Sequence, residues 1–217
     1  MTKLAVFDCD GTLIDGQASI CRAMDEAFAE VGLPAPDPHQ VRRMVGLSLP
    51  QAMRRLSPDI DDDLQRNLVD AYKRAFRAQR EAGELSQQLF DGIADVLDAL
   101  HGAGWQLAVA TGMSRRGLDH CLASHGLSKH FVSLQTADNH PSKPDPAMLE
   151  AALFEAAAEP SEAVMIGDTA YDMQMARDAG VRGIGVDWGY HTPEELRAAG
   201  AEFVATSREE LKAYLLK

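Results

Sequence analysis

The chain has 217 residues, 46% hydrophobic and 25% charged, with a net charge of −12, which suits one substantial core or a core with a smaller inserted domain. That acidity disfavours nucleic acid as a partner, because phosphate backbones select basic surfaces. No apolar run reaches membrane-spanning length, the N-terminus lacks a signal-peptide layout, and Cys9, Cys21 and Cys121 form no C-x-x-C pair, so a cytoplasmic protein without a disulfide framework or a membrane partner is expected.

The first element is the apolar run Leu4-Ala5-Val6-Phe7, ending in Asp8-Cys9-Asp10-Gly11-Thr12. It is too short for a helix and reads as a buried parallel strand that delivers two carboxylates to its carboxyl end. Burying acids without compensation is costly, so a cation or a charged ligand is expected there.

From Gly16 the pattern turns helical for about seventy residues. Ile20, Met24, Ala27, Phe28 and Val31 share one face, closed by Gly32 and Pro34. Asp37-Pro38 caps a short helix that stops near Gly46, and a third helix runs through Leu49, Met53 and Leu56. The longest starts in Asp61-Asp62-Asp63 and carries Leu64, Leu68, Ala71, Tyr72 and Ala75. This segment, 16–88, holds 10 basic against 11 acidic residues, and the remainder 11 against 22. The expected organisation is therefore a near-neutral helical insertion at 16–88 and an acidic core formed by 1–15 and 89–217.

Beyond Phe90 helices and strands alternate. Strands are expected at Trp105 to Ala110, Phe131 to Gln135, Val164 to Ile166, Gly183 to Val186 and around Phe203-Val204. Helices lie between them, including Met148 to Ala158 and Ser207 to Leu216. The fold class is α/β, a doubly wound, Rossmann-like parallel sheet with an inserted helical domain. Cys121 and His125 stand at helical spacing with His120 and His130 nearby, but no second ligand pair accompanies them, so they read as core and surface residues.

Polar residues then fall at one kind of place. Asp8, Asp10, Thr111 and Asp168 each follow or end a predicted strand, and a parallel sheet brings such positions to one edge. Asp172 lies one helical turn after Asp168 on the same face. Lys143, in Ser142-Lys143-Pro144-Asp145-Pro146, is held between prolines as a counter-charge. Gly183-Ile184-Gly185 lacks the third glycine of a dinucleotide fingerprint, and neither a G-x-S-x-G elbow nor a Walker loop is present.

Four stretches together, Asp8-Cys9-Asp10-Gly11-Thr12-Leu13, Val109-Ala110-Thr111-Gly112, Ser142-Lys143-Pro144-Asp145 and Ile166-Gly167-Asp168-Thr169-Ala170-Tyr171-Asp172, resemble the haloacid dehalogenase-like hydrolase superfamily, and within it the phosphoglycolate-phosphatase-like branch. The helical insertion matches that family's cap. The resemblance implies a magnesium-dependent phosphatase acting on a small phosphorylated metabolite. Asp8 would be the nucleophile and Asp10 the general acid and base. Asp8, the Asp10 backbone carbonyl, Asp168 and Asp172 would hold Mg2+, with Thr111, Gly112 and Lys143 binding the phosphoryl group. Cys9 and Gly16 depart from the branch, which usually has a larger apolar residue and a hydroxyl residue there. Val45-Gly46-Leu47-Ser48 resembles the loop that faces the active site, from which Arg42 or Arg43 could reach a second anionic group. Phosphoglucomutase-type transfer and pyrophosphate hydrolysis are alternatives on this fold, and a non-enzymatic phospho-accepting receiver is a rival from another class. Either a monomer or a homodimer fits.

Overall fold

The computed structural model describes residues 2–217. The strand β1 (Leu4–Phe7) leads through a tight turn into β2 (Ile14–Asp15), then four helices: α1 (Gln17–Glu30), α2 (Pro38–Met44), α3 (Leu49–Leu56) and α4 (Asp62–Glu81). The chain returns through β3 (Gln88–Leu89) and then alternates: α5 (Ile93–Gly102), β4 (Gln106–Thr111), α6 (Arg115–Ser124), β5 (Phe131–Thr136), α7 (Ala147–Ala156), β6 (Ala163–Gly167), α8 (Ala170–Asp178), β7 (Arg182–Val186), α9 (Pro193–Ala199), β8 (Ala201–Ala205) and α10 (Arg208–Leu215).

Six strands form one sheet in the order β5-β4-β1-β6-β7-β8, with parallel pairing throughout. The chain starts at β1, winds to one side through β4 and β5, and then to the other through β6, β7 and β8. The carboxyl end of β1, between β4 and β6, is thus the point where the winding reverses and a crevice opens for a ligand.

Alternate residues of β1 serve opposite cores. Ala5 and Phe7 face a cluster with Ile93, Leu97, Leu118 and Leu211, from helices α5, α6 and α10. Leu4 and Val6 face another, with Met148, Leu149 and Ala152 of α7 and Met175 of α8. With both faces covered, the strands carry near-continuous apolar runs, each fully buried Leu or Ile contributing about 1.5–3 kcal/mol. Helices α1 to α4 pack around a cluster of their own that includes Met24, Phe28, Val41, Met53 and Leu68. They connect to the sheet through the antiparallel pair β2–β3, Ile14 facing Leu89 and Asp15 facing Gln88.

Some expectations change. The helix expected to reach Ala158 ends at Ala156, where Ala157 turns left-handed with φ 51°. The sequence reading missed α9, although Thr192, Pro193 and Glu195 spell a capping box with proline in the first turn. Cys121 and His125 do not share a helix face: α6 stops at Ser124, and His125 Nε2 bonds the Gln87 carbonyl at 2.7 Å. Among the described residues no helix is long and apolar enough to cross a membrane.

Candidate active site

Asp8 is still tied to the sheet, its N–H donating to Ile166 O at 2.9 Å. The chain then folds back sharply, with the Cys9 carbonyl accepting from the N–H groups of Leu13 and Ile14 at 2.9 and 3.1 Å. Gly11 makes the turn at φ +87°, and a methyl group there would overlap the Asp168 carboxylate and the Tyr190 ring. Glycine is needed both for the angle and for the approach.

Three buried acids meet above this turn. Oxygen atoms of Asp8, Asp168 and Asp172 lie within 4.8 Å of one another. Asp168, at the end of β6, accepts from the Thr12 hydroxyl at 2.8 Å and from the Tyr190 N–H at 2.9 Å. Asp172 accepts from Thr169 through N–H and hydroxyl, at 3.0 and 2.7 Å, in a capping box that starts α8. Lys143, 0% exposed, places Nζ 2.7 Å from Asp172 Oδ1 and 2.9 Å from Asp8 Oδ1. Burial works against the Lys143 ammonium, but Asp172 and Asp8 outweigh it and hold its pKa above the ordinary value.

The charges do not balance. Three carboxylates face one ammonium, and neither Asp8 oxygen accepts a well-formed hydrogen bond. Burial pushes Asp8 up to about 6 against the pull of Lys143, with Asp172 adding to the rise. Asp168 is raised by burial and then by Asp8 and Asp172. A set of oxygen donors with a residual double negative charge fits a hard divalent cation, which would oppose the rise at Asp8 and Asp168.

Asp10 is half-buried at the floor of a cavity, its Oδ1 also without a hydrogen-bond partner. Burial, then the neighbouring Asp8, push it up to about 7. Gly16 leaves the space beside it open: a Cβ there would stand 2.6 Å from Asp10 Oδ1. Thr111 ends β4, buried, its Oγ1 accepting from Met113 N–H at 3.3 Å. Gly112 lies directly under the carbonyls of Gly46 and Leu47, with no room for a side chain.

The cavity, about 600 Å3, lies between the sheet's carboxyl edge and α1 to α4, and Asp8, Asp10, Thr111 and Gly112 line it. Arg43, expected to face a ligand, does not line it. Its guanidinium makes a bidentate pair with Glu195 of α9, at 3.1 and 2.5 Å, holding Glu195 down at about 2. The Arg43 carbonyl also accepts from Tyr171 at 3.1 Å. Arg43 thus ties α2 to α9 and α8. The basic residues on the cavity wall are instead Lys73, Arg77 and Arg80 of α4 and Arg116 of α6, which the sequence reading did not single out. Nor did it single out Thr12, Gly189 and Tyr190, which position Asp168.

A sequence model of the haloacid dehalogenase-like hydrolases matches residues 5–186. The chain is 32% identical over 221 residues to a phosphoglycolate phosphatase of Vibrio parahaemolyticus, covering 96% of this chain and 94% of that protein. It is 33% identical over 214 residues to the probable phosphatase IndB of Dickeya dadantii, covering 97% and 92%. Among solved structures, a hydrolase from Pseudomonas syringae superposes with a TM-score of 0.87 at 26% identity, over 99% of this chain and 98% of that one. A predicted phosphatase from Clostridium acetobutylicum does so with a TM-score of 0.89 at 25% identity, over 100% and 99%.

Proposed function

The chain belongs to the haloacid dehalogenase-like hydrolases and is a phosphatase similar to the phosphoglycolate phosphatases, and from that premise we propose that it hydrolyses a small phosphorylated metabolite with Mg2+, through a phosphoryl group carried on Asp8. The observation that carries the reading is the unbalanced cluster: three buried acids against one lysine, with Asp8 among them accepting no well-formed hydrogen bond.

Mg2+ would be held by Asp8, Asp168 and Asp172 with the Asp10 backbone carbonyl, and when bound it supplies the positive charge that lets an anionic ester approach an anionic nucleophile. In the first step an Asp8 oxygen forms a bond to phosphorus while the bond to the leaving oxygen breaks. Asp10 gives its proton to that oxygen, a role that suits a carboxyl pushed up to about 7. In the second step water attacks phosphorus, Asp10 takes the water's proton, and the bond to Asp8 breaks to free phosphate. Thr111 and the Gly112 amide bind phosphoryl oxygens, and Lys143 holds Asp8 and Asp172 in place while balancing charge on the phosphoryl group.

Residues 16–88 act as the cap over a core formed by 1–15 and 89–217, excluding bulk water from the phospho-Asp8 stage. The reading includes a cytoplasmic enzyme, a monomer or homodimer, in keeping with Cys9, Cys21 and Cys121 as free thiols. The test is phosphate release from a panel of phosphorylated metabolites in Mg2+ and in excess chelator, followed by mass spectrometry of acid-quenched enzyme. Magnesium-dependent turnover with one phosphate on Asp8 is expected. Full activity in chelator, or turnover by Asp8→Asn, would overturn the reading.

A further inference from the structure

The cavity is larger than the phosphoryl chemistry needs, and its far wall is built for something else. We infer that it selects phosphate esters whose leaving group is bulkier than glycolate and carries an anionic group of its own, held by Arg77, Arg80 and Arg116. This deepens the phosphatase reading above and rests on it.

The volume is not a gap under a raised cap. The loop between α2 and α3 is seated on the core, with Ser48 N–H donating to Ser142 Oγ at 2.7 Å. Gly46 and Leu47 press their carbonyls onto Gly112, and Arg43 is clamped to Glu195. With the roof in place about 600 Å3 remains, within the range of roughly 300–1,000 Å3 that encloses drug-sized ligands. A glycolate leaving group would leave most of it to water. The lining includes Ile20, Met24, Val41 and Phe76, a surface that gains by covering an apolar body.

The cations on the wall come from α4 and α6, not from the strand ends that carry Asp8 and Thr111. Tyr72 on α4 lines the same cavity as Asp10, and Arg80 follows eight residues later, about 12 Å along the helix axis. Arg77 is about one turn before Arg80 on the same helix, and Arg116, in the first turn of α6, lines the same cavity. Among the described residues none of the three makes an ion pair or a side-chain hydrogen bond, although Arg22, Arg43, Arg54, Arg74 and Arg115 all pair with acids. Asp138, which also lines this wall, is engaged by the Arg115 N–H at 2.7 Å. Three unpaired guanidinium groups on the wall of a cavity that is otherwise largely apolar are suited to a carboxylate or a second phosphate.

The test compares alkyl esters with similar leaving groups: benzyl phosphate, 4-carboxybenzyl phosphate and phosphoglycolate. Wild-type kcat/KM is expected to favour 4-carboxybenzyl phosphate over benzyl phosphate by at least about 10-fold, chiefly through KM, the scale of one charge-assisted hydrogen bond. It is also expected to favour it over phosphoglycolate. The first ratio should collapse towards unity in Arg77→Gln, Arg80→Gln and Arg116→Gln, and Arg116→Lys should recover part of it. Arg116 is exposed at the start of a helix, so its variants keep the test readable where an α4 variant fails to fold. Benzyl phosphate turned over as well as its carboxylated partner, phosphoglycolate preferred to both, or a ratio unchanged in all three variants would each overturn the inference and leave the phosphatase reading standing. Failure to hydrolyse any ester in Mg2+ would sink that reading itself.

Discussion

Gly189 packs against Asp168 so closely that a methyl group on it would overlap the carboxylate it neighbours. The next residue, Tyr190, donates its N–H to the same side chain at 2.9 Å. The loop after β7 therefore acts as a mould for Asp168. Gly189→Ala should displace that carboxylate while leaving the apolar cores intact. A fall of about 10- to 100-fold in apparent Mg2+ affinity is expected, the range for groups that support metal ligands, read from activity as a function of metal concentration. An unchanged metal dependence would mean that Asp168 is dispensable for binding.

Among the described residues Lys143 is the single cation between two buried acids, at 2.9 and 2.7 Å. Lys143→Met should destabilise the metal-free protein by about 3–5 kcal/mol, because removing one partner strands buried charge. Saturating Mg2+ should recover much of the loss by supplying positive charge to the same oxygens. Urea unfolding with and without metal measures both. A variant as stable as the wild type in chelator would show that the acids are already protonated there.

Much of this cluster was legible in the sequence because a parallel sheet makes strand ends comparable. Once Leu4 to Phe7 and Val164 to Ile166 read as buried strands of one parallel sheet, Asp8 and Asp168 had to emerge at one edge, and the two strands prove to be neighbours. What was not legible depends on contacts between elements whose mutual orientation no periodicity reports. Arg43 looked free because its partner, Glu195, is 152 residues away on a helix the reading had not placed. Arg77 and Arg80 looked like any solvated face of α4, and only the cavity beside them and the lack of an acidic partner separate them from Arg74 and Arg66. Gly189 gave no signal, since a glycine required for close approach is indistinguishable in sequence from one required for a turn.

Metal-free stability should fall as pH rises from about 4 to about 7. Asp10 is pushed up to about 7 and Asp8 to about 6, with Asp168 raised as well, against an ordinary value of 3.8. In that window the folded protein binds more protons than the unfolded chain, so the slope of unfolding free energy with pH is negative. His191, lowered by burial, acts in the opposite direction by favouring the folded state as pH rises through its ordinary range. Thermal melts in chelator at pH 5 and pH 8 should show the higher midpoint at pH 5, and Asp10→Asn should flatten the difference. A midpoint that rises with pH in both proteins would show that the acids are ionised when buried.

The roles of Asp8 and Asp10 separate through the leaving group. Asp10→Asn removes the proton donor of the first step and the water activator of the second, while Asp8 keeps its place beside Lys143. An alkoxide leaves poorly without a proton, whereas a nitrophenolate leaves well unaided. The variant should therefore lose about 10²- to 10⁴-fold on an alkyl phosphate through the first step, and far less in the first step on p-nitrophenyl phosphate. With the aryl ester, hydrolysis of phospho-Asp8 then becomes limiting, so nitrophenol should appear in a burst equal to the enzyme concentration. The burst and the phosphorylated protein report the same species by independent means. Equal losses on both esters, with no burst and no phosphate on the acid-quenched protein, would exclude Asp10 from moving the proton.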